Sequence, residues 1–170
     1  DYNIKEYPRT VRLARGRNIC LNTAKKLNPD LYIAMDFDDV ISKLDKKDII
    51  KSFEINLEWD AIFANQNRIY YDLWALRTYD DWMNYDCWEA SGFMSTKKAV
   101  TNHFRKVPKN KIVEVISAFG GLGIYKFDSV KNFFYYGFKN ETGCCEHVHL
   151  HKQMTKNKKK LFIIGSLINN

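Results

Sequence analysis

Leu31-Tyr32-Ile33-Ala34-Met35 is an apolar run that stops abruptly at Asp36-Phe37-Asp38-Asp39. This junction constrains the fold more than any other feature of the chain. A run so short, entered from Asn28-Pro29-Asp30, reads as a buried strand rather than a helix. Three carboxylates within four residues repel one another and cannot share an apolar interior. The strand therefore has to end at a surface where a cap, water or a cation takes up their charge. In open α/β sheets the carboxyl end of a strand is also where ligands bind.

The rest of the chain alternates in the same way. Val11, Leu13, Ala14, Ile19, Leu21, Ala24 and Leu27 are spaced for a helix over 9–27, ended by Asn28-Pro29. A second helix is expected over 45–56, capped by Asp45, with Ile49, Ile50 and Phe53 inward. Trp59 to Ala64, Val113 to Phe119 and Leu161 to Ile164 read as strands, with Gly123 to Lys126 continuing the second of these past Gly120-Gly121. Residues 144–154 suit a short helix, 70–76 are ambiguous, and 79–106 read as mixed helix and loop. Strands alternating with helices indicate an α/β fold. Its 170 residues suit a single domain over 1–170 with one sustainable core. Asp1 to Lys5 contains neither Met nor an apolar segment, so it reads as no signal peptide, and the chain is expected to be an excised domain or one lacking its first element.

Composition excludes several classes. With 45% hydrophobic and 15% aromatic residues the chain is neither disordered nor collagen-like. No apolar run reaches the ~18 residues that a membrane span needs. The net charge is +7, but Lys152, Lys156, Lys158, Lys159 and Lys160 supply five of those charges, and without them it falls to +2. Such a run is either a solvated loop or a polyanion contact. No recognition-helix or RRM pattern supports nucleic acid as a partner. A mildly basic protein also suits a small anionic substrate. Cys20, Cys87, Cys144 and Cys145 include no C-x-x-C pair, and the simplest reading is reduced thiols in the cytoplasm.

Several groups carry potential chemistry. Asp36 and Asp38, two apart in extended backbone, point the same way. They either cap a loop or hold a hard cation, Mn²⁺ or Mg²⁺, shared with substrate phosphates. Glu146-His147-Val148-His149-Leu150-His151 holds three of the four histidines. On a helix His147 and His151 share a face, and Glu146 is a potential general base; the alternative is a polar helix face. Gly120-Gly121 marks either a bulge or a close approach to a ligand. Arg9, Arg12, Arg15 and Arg17 are four of seven arginines and suit bidentate phosphate contact. Tyr70, Tyr71, Trp74, Tyr79, Trp82, Tyr85 and Trp88, interleaved with Asp72, Arg77, Asp81, Asp86 and Glu89, are either core residues or faces for sugar rings. Neither G-x-G-x-x-G nor a P-loop is present.

Taken together, Arg15-Gly16-Arg17-Asn18, Tyr32 to Val40 with its D-x-D, Phe63-Ala64-Asn65-Gln66, Tyr71 to Arg77, Ser117 to Leu122 and Cys145 to Val148 resemble a GT-A glycosyltransferase. They look most like the domains encoded by large DNA viruses of algae and amoebae, and are more distantly similar to fungal capsule-type mannosyltransferases. The resemblance runs from about Val11 to the C-terminus. It implies a Rossmann-like mixed sheet flanked by helices. It also implies transfer of a sugar from a UDP- or GDP-sugar to a hydroxyl of a glycan or glycoprotein, with inversion favoured, in the host cytoplasm for a viral protein. Asp36 and Asp38 would hold Mn²⁺ or Mg²⁺, with a late histidine, His151 in the reading adopted, added to the metal shell. Arg15, Arg17, Asn18, Asp39, Gly120 and Gly121 would contact the donor, Tyr71, Asp72, Trp74 and Arg77 the acceptor, and Glu146 would be the base. GT-A domains open with a strand that binds the nucleobase; only Asp1 to Pro8 precede Arg9, so a conventional first strand is expected to be lacking. Two rivals remain. A nucleotidyltransferase would release pyrophosphate, and a non-catalytic carbohydrate-binding domain would need neither nucleotide nor cation.

Overall fold

The structure is a computed structural model and describes residues 8–86, 105–139 and 142–169. Helix α1 (Arg9–Leu27) follows Pro8, whose fixed φ suits a helix entry, and stops where Asn28 turns left-handed (φ 47°) and donates its N–H to the Ala24 carbonyl. Strand β1 (Leu31–Met35) follows at once. Helix α2 (Lys46–Phe53) is capped as expected, with the Asp45 side chain accepting from the Lys47 N–H. Then come β2 (Ala61–Asn65), β3 (Arg77–Thr78), β4 (Ile112–Ser117), β5 (Leu122–Lys126), a one-turn helix α3 (Phe127–Val130), β6 (Phe138–Lys139), β7 (Thr142–Gly143), helix α4 (Glu146–Lys156) and β8 (Leu161–Ile168).

Six strands form one mixed sheet in the order β1-β5-β2-β8-β4-β3; β6 and β7 make a separate ribbon. β2 and β8 run parallel, whereas β1/β5, β2/β5, β4/β8 and β3/β4 are antiparallel. The chain is thus α/β, with a mixed six-stranded sheet flanked by helices. Alternation along each strand divides the core. Ala61, Phe63, Leu161 and Ile163 face one layer with Ala14 and Leu21 of α1 and Val148, Leu150 and Met154 of α4. Ile62, Ala64, Phe162 and Ile164 face the other, against Ile49 of α2 and Leu57.

Two expectations need correction, and one left open is settled. Ile50 and Phe53 are exposed rather than inward, and Phe53 stacks on Trp59 at the surface. Gly123 to Lys126 do not continue the strand before Gly120-Gly121. Both glycines have positive φ (62° and 89°), and the chain turns there from β4 to β5, strands separated in the sheet by β8 and β2. Residues 70–76 are neither helix nor strand but turns leading into β3. Cys20 is exposed and Cys145 buried, and neither is in a disulfide. Lys159 pairs with Asp60 and Lys160 with Glu58, which spends part of the basic run on local acids. Among the described residues no helix is long and apolar enough to cross a membrane. The expectations for the segment before Arg9, Cys87, Trp88, Glu89 and most of 79–106 fall on residues 1–7 and 87–104, outside the described residues.

Candidate functional site

A cavity of about 450 Å³ opens at the carboxyl end of β1, where five separate pieces of the chain meet, Phe119 of the turn after β4 among them. β1 delivers Asp36 and Asp38, the first turns of α1 deliver Arg9 and Arg17, the 70–75 turns deliver Tyr71, Asp72 and Trp74, and the first turn of α4 delivers Glu146 and His147. The convergence follows from topology. α1 runs back along the sheet to feed β1, so its N-terminus lies at the end where β1 finishes.

The carboxylates are held in distinct ways. Asp36 donates its backbone N–H to the Gly121 carbonyl (3.0 Å) and pairs its Oδ1 with Arg17 Nη2 (2.8 Å). Asp38 has extended backbone and accepts the Val40 N–H at Oδ1 (3.1 Å), capping the one-turn helix Asp39–Ile41. The capping alternative for D-x-D is met at Asp38, which also lines the cavity. Asp72 accepts the Gly120 N–H (3.0 Å) and the Ala75 N–H (3.3 Å); burial raises its pKa, and these two bonds oppose the rise. The two glycines thus act from behind the cavity wall. They do not line it; the turn they allow ties down one acid through each.

Arg17 joins the carboxylates to one another. Its Nε bonds Glu146 Oε1 (3.0 Å), and its guanidinium lies over the Phe119 ring (4.7 Å). Burial works against its charge, but Asp36 and Glu146 outweigh this and hold its pKa above the ordinary range. Glu146 is displaced upward, chiefly by burial, with Arg17 opposing. The His147 ring, also at the cavity, stacks on Phe119 (3.7 Å between centroids). His147 is 3% exposed, and neither ring nitrogen has a hydrogen-bond partner. Nε2 lies 3.6 Å from Glu146 Oε1. Burial first, and Arg17 second, keep this imidazole neutral well below its usual range.

The expected residues divide clearly. Asp36, Asp38, Arg17, Glu146, Tyr71, Asp72 and Trp74 come together at the cavity. Arg15 and Asp39 are exposed and do not line it. Asn18 clasps the Tyr135 backbone in both directions, at 2.8 Å each way, and fixes α1 to the segment before β6. Arg77 is buried, bonding Asp86 (2.8 Å) and the carbonyls of Leu73 and Trp74. His151 is not the histidine of the cavity. Its Nδ1 faces Ser117 Oγ and its Nε2 faces Tyr125 OH, both at 2.9 Å in the core. One helical turn separates it from His147, and that turn carries it under the sheet. The sequence reading weighed His147 without selecting it, and did not single out Phe119 or Phe37. The signal available for His147 was its position in the first turn of a helix that starts at the ligand end of the sheet.

Comparison with protein-family models, with curated proteins and with solved structures finds no match to this chain. The site is therefore read from its own geometry.

His151→Leu separates the two histidines. Leaving the Ser117 and Tyr125 hydroxyls without their partner should cost about 2 kcal/mol in urea unfolding at pH 7.5. Burial holds the His151 pKa down to about 3, against an ordinary value of 6.5. Between those values the unfolded state binds the extra proton, so stability falls as pH drops through the window. The variant should flatten part of that fall; His147 and His149, displaced the same way, and the lowered carboxylates Asp60 and Asp80 contribute to the remainder.

Proposed function

We propose that this chain is a metal-dependent glycosyltransferase of the GT-A type, moving a sugar from a UDP- or GDP-sugar to a hydroxyl of a glycan. One observation carries the reading: the D-x-D carboxylates, an arginine fork, a buried glutamate and an aromatic rim line one cavity at the carboxyl end of β1. Phe37 (88% exposed) and Trp74 (44% exposed) stand at that cavity beside Tyr71. Apolar faces next to carboxylates suit rings that carry C–H on their faces and hydroxyls on their edges.

The donor set fits Mn²⁺ or Mg²⁺. Asp36 and Asp38 offer hard oxygens on one wall, and Asp36 is part-exposed. Among the described residues no three His, Cys, Asp or Glu are grouped to enclose an ion. Two carboxylates that leave positions to phosphate oxygens and water suit these cations. A bound cation would offset the charge that grows on a leaving diphosphate. Arg17 and Arg9 would orient the diphosphate, and Tyr71 and Trp74 would seat the acceptor. Glu146, whose pKa burial raises toward neutrality, would accept the acceptor's hydroxyl proton at a carboxylate oxygen.

The test is a thermal-unfolding panel of UDP, GDP and their sugars, each with and without Mn²⁺. A ligand at 100 times its Kd stabilises the native state by about 2.7 kcal/mol. For a chain of this size that raises the melting temperature by roughly 5–10 °C. The rise should need both nucleotide and cation, and turnover should release nucleoside diphosphate. Release of pyrophosphate would make the chain a nucleotidyltransferase. Glycan binding indifferent to nucleotide and cation would make it a carbohydrate-binding domain.

A further inference from the structure

Arg17 occupies a cation's place among the acids of the cavity. Its fork reaches Asp36 Oδ1 at 2.8 Å and Glu146 Oε1 at 3.0 Å, joining residues 110 positions apart, and its side chain is only 13% exposed. Asp36 is one of the two carboxylates of D-x-D, and Glu146 is the acid placed to take a proton. The guanidinium takes one oxygen of each, Oδ1 of Asp36 and Oε1 of Glu146, and sets its positive charge beside both carboxylates. A divalent cation approaching Asp36 meets a positive charge already in contact with the oxygen it needs. A diphosphate changes that balance, because it brings negative charge of its own and because a guanidinium fork matches phosphate oxygens as well as carboxylate oxygens. His147, only 3% exposed, is among the residues around the same cavity, and neither of its ring nitrogens has a hydrogen-bond partner.

We infer that Arg17 is an exchangeable counter-ion, which competes with a divalent cation for Asp36 and is drawn off both Asp36 and Glu146 by the diphosphate of the nucleotide. Nucleotide binding then opens the metal position and releases the base in one movement, so an empty site is held inactive. Arg17 is a positioning residue in this scheme, since it sets the state of Asp36 and Glu146. The inference rests on the nucleotide-sugar reading of the cavity.

Opposite shifts in two affinities test it. Mn²⁺ binding to the full chain is followed by the loss of the free-ion EPR signal, and binding of UDP and of GDP by calorimetry. Both are measured on the unaltered chain, on Arg17→Gln, and on Arg17→Gln combined with Glu146→Gln. The double variant leaves no buried glutamate without its partner, so it preserves the fold if the single one does not. In the absence of nucleotide, both variants should bind Mn²⁺ about 5- to 10-fold more tightly, because the competing charge is gone. The preferred nucleoside diphosphate should bind them about tenfold more weakly, because a charged hydrogen-bonding partner of the phosphates is gone. Metal affinity that is unchanged, or that falls together with nucleotide affinity, overturns the inference and leaves Arg17 as a structural bridge. An unaltered chain that binds neither Mn²⁺ nor either nucleotide overturns the nucleotide-sugar reading, and this inference with it.

Discussion

Asp38→Ala should reduce cation-dependent sugar transfer by about 10³-fold or more while the chain stays folded. Removing one of two carboxylates from a site that offers few other hard ligands costs several kcal/mol of transition-state stabilisation, and each 1.4 kcal/mol is about tenfold in rate. The same substitution removes little from the fold. Asp38 is exposed, and the described hydrogen bond of its side chain caps a single turn through the Val40 N–H. Losing such a cap costs about 1 kcal/mol. Initial rates with and without Mn²⁺, together with a melting curve, measure both effects. Asp39→Ala is the internal comparison, because Asp39 lies next in sequence but does not line the cavity; it should keep most of the activity. Full activity in Asp38→Ala would remove the metal assignment.

Gly120→Ala should cost both stability and function. At φ 62° an L side chain is strained by about 1–2 kcal/mol. The added carbon would also stand 2.6 Å from Gln66 Nε2 and 2.9 Å from the Ala64 carbonyl oxygen, both in the interior. Overpacking of that kind adds about 1–3 kcal/mol. A total near 3 kcal/mol lowers the melting temperature by roughly 6–12 °C. Function should fall further than stability does, since a displaced Gly120 N–H releases the buried Asp72 carboxylate. Gly16→Ala gives the opposite sign. Gly16 lies inside α1 with nothing within 4 Å of the added carbon, and alanine there should stabilise by roughly 0.5–1 kcal/mol. Chemical denaturation of the two variants side by side checks the pair.

Much of the architecture is written locally. The end of α1 at Asn28, the strand before Asp36, the Asp45 cap and the start of α4 each depend on residues within a turn or two of one another. Periodicity and capping act at that range, and both are visible in the chain. The acidic strand end was legible for the same reason, because mutual repulsion of near neighbours needs no knowledge of the fold.

What the chain alone left open was decided by distance in sequence. His147 and His151 have the same chemistry and the same helix face, yet one lines the cavity and the other lies between Ser117 and Tyr125. Only the packing of α4 against β4 and β5 separates them. Gly120 and Gly121 looked like an interruption within one strand. Their positive φ values serve a turn between two strands on different sides of β2 and β8. Arg17 reads as a phosphate contact by residue type, but its bridge from Asp36 to Glu146 exists only once the start of α4 has been folded against α1. Sequence by itself therefore determined the longer helices, the central strands and the acid-rich end of β1, because those follow from short-range sterics, hydrogen bonding and charge. Tertiary structure alone determined which histidine, which arginine and which glutamate meet there, because burial and pairing are set by contacts between segments a hundred residues apart.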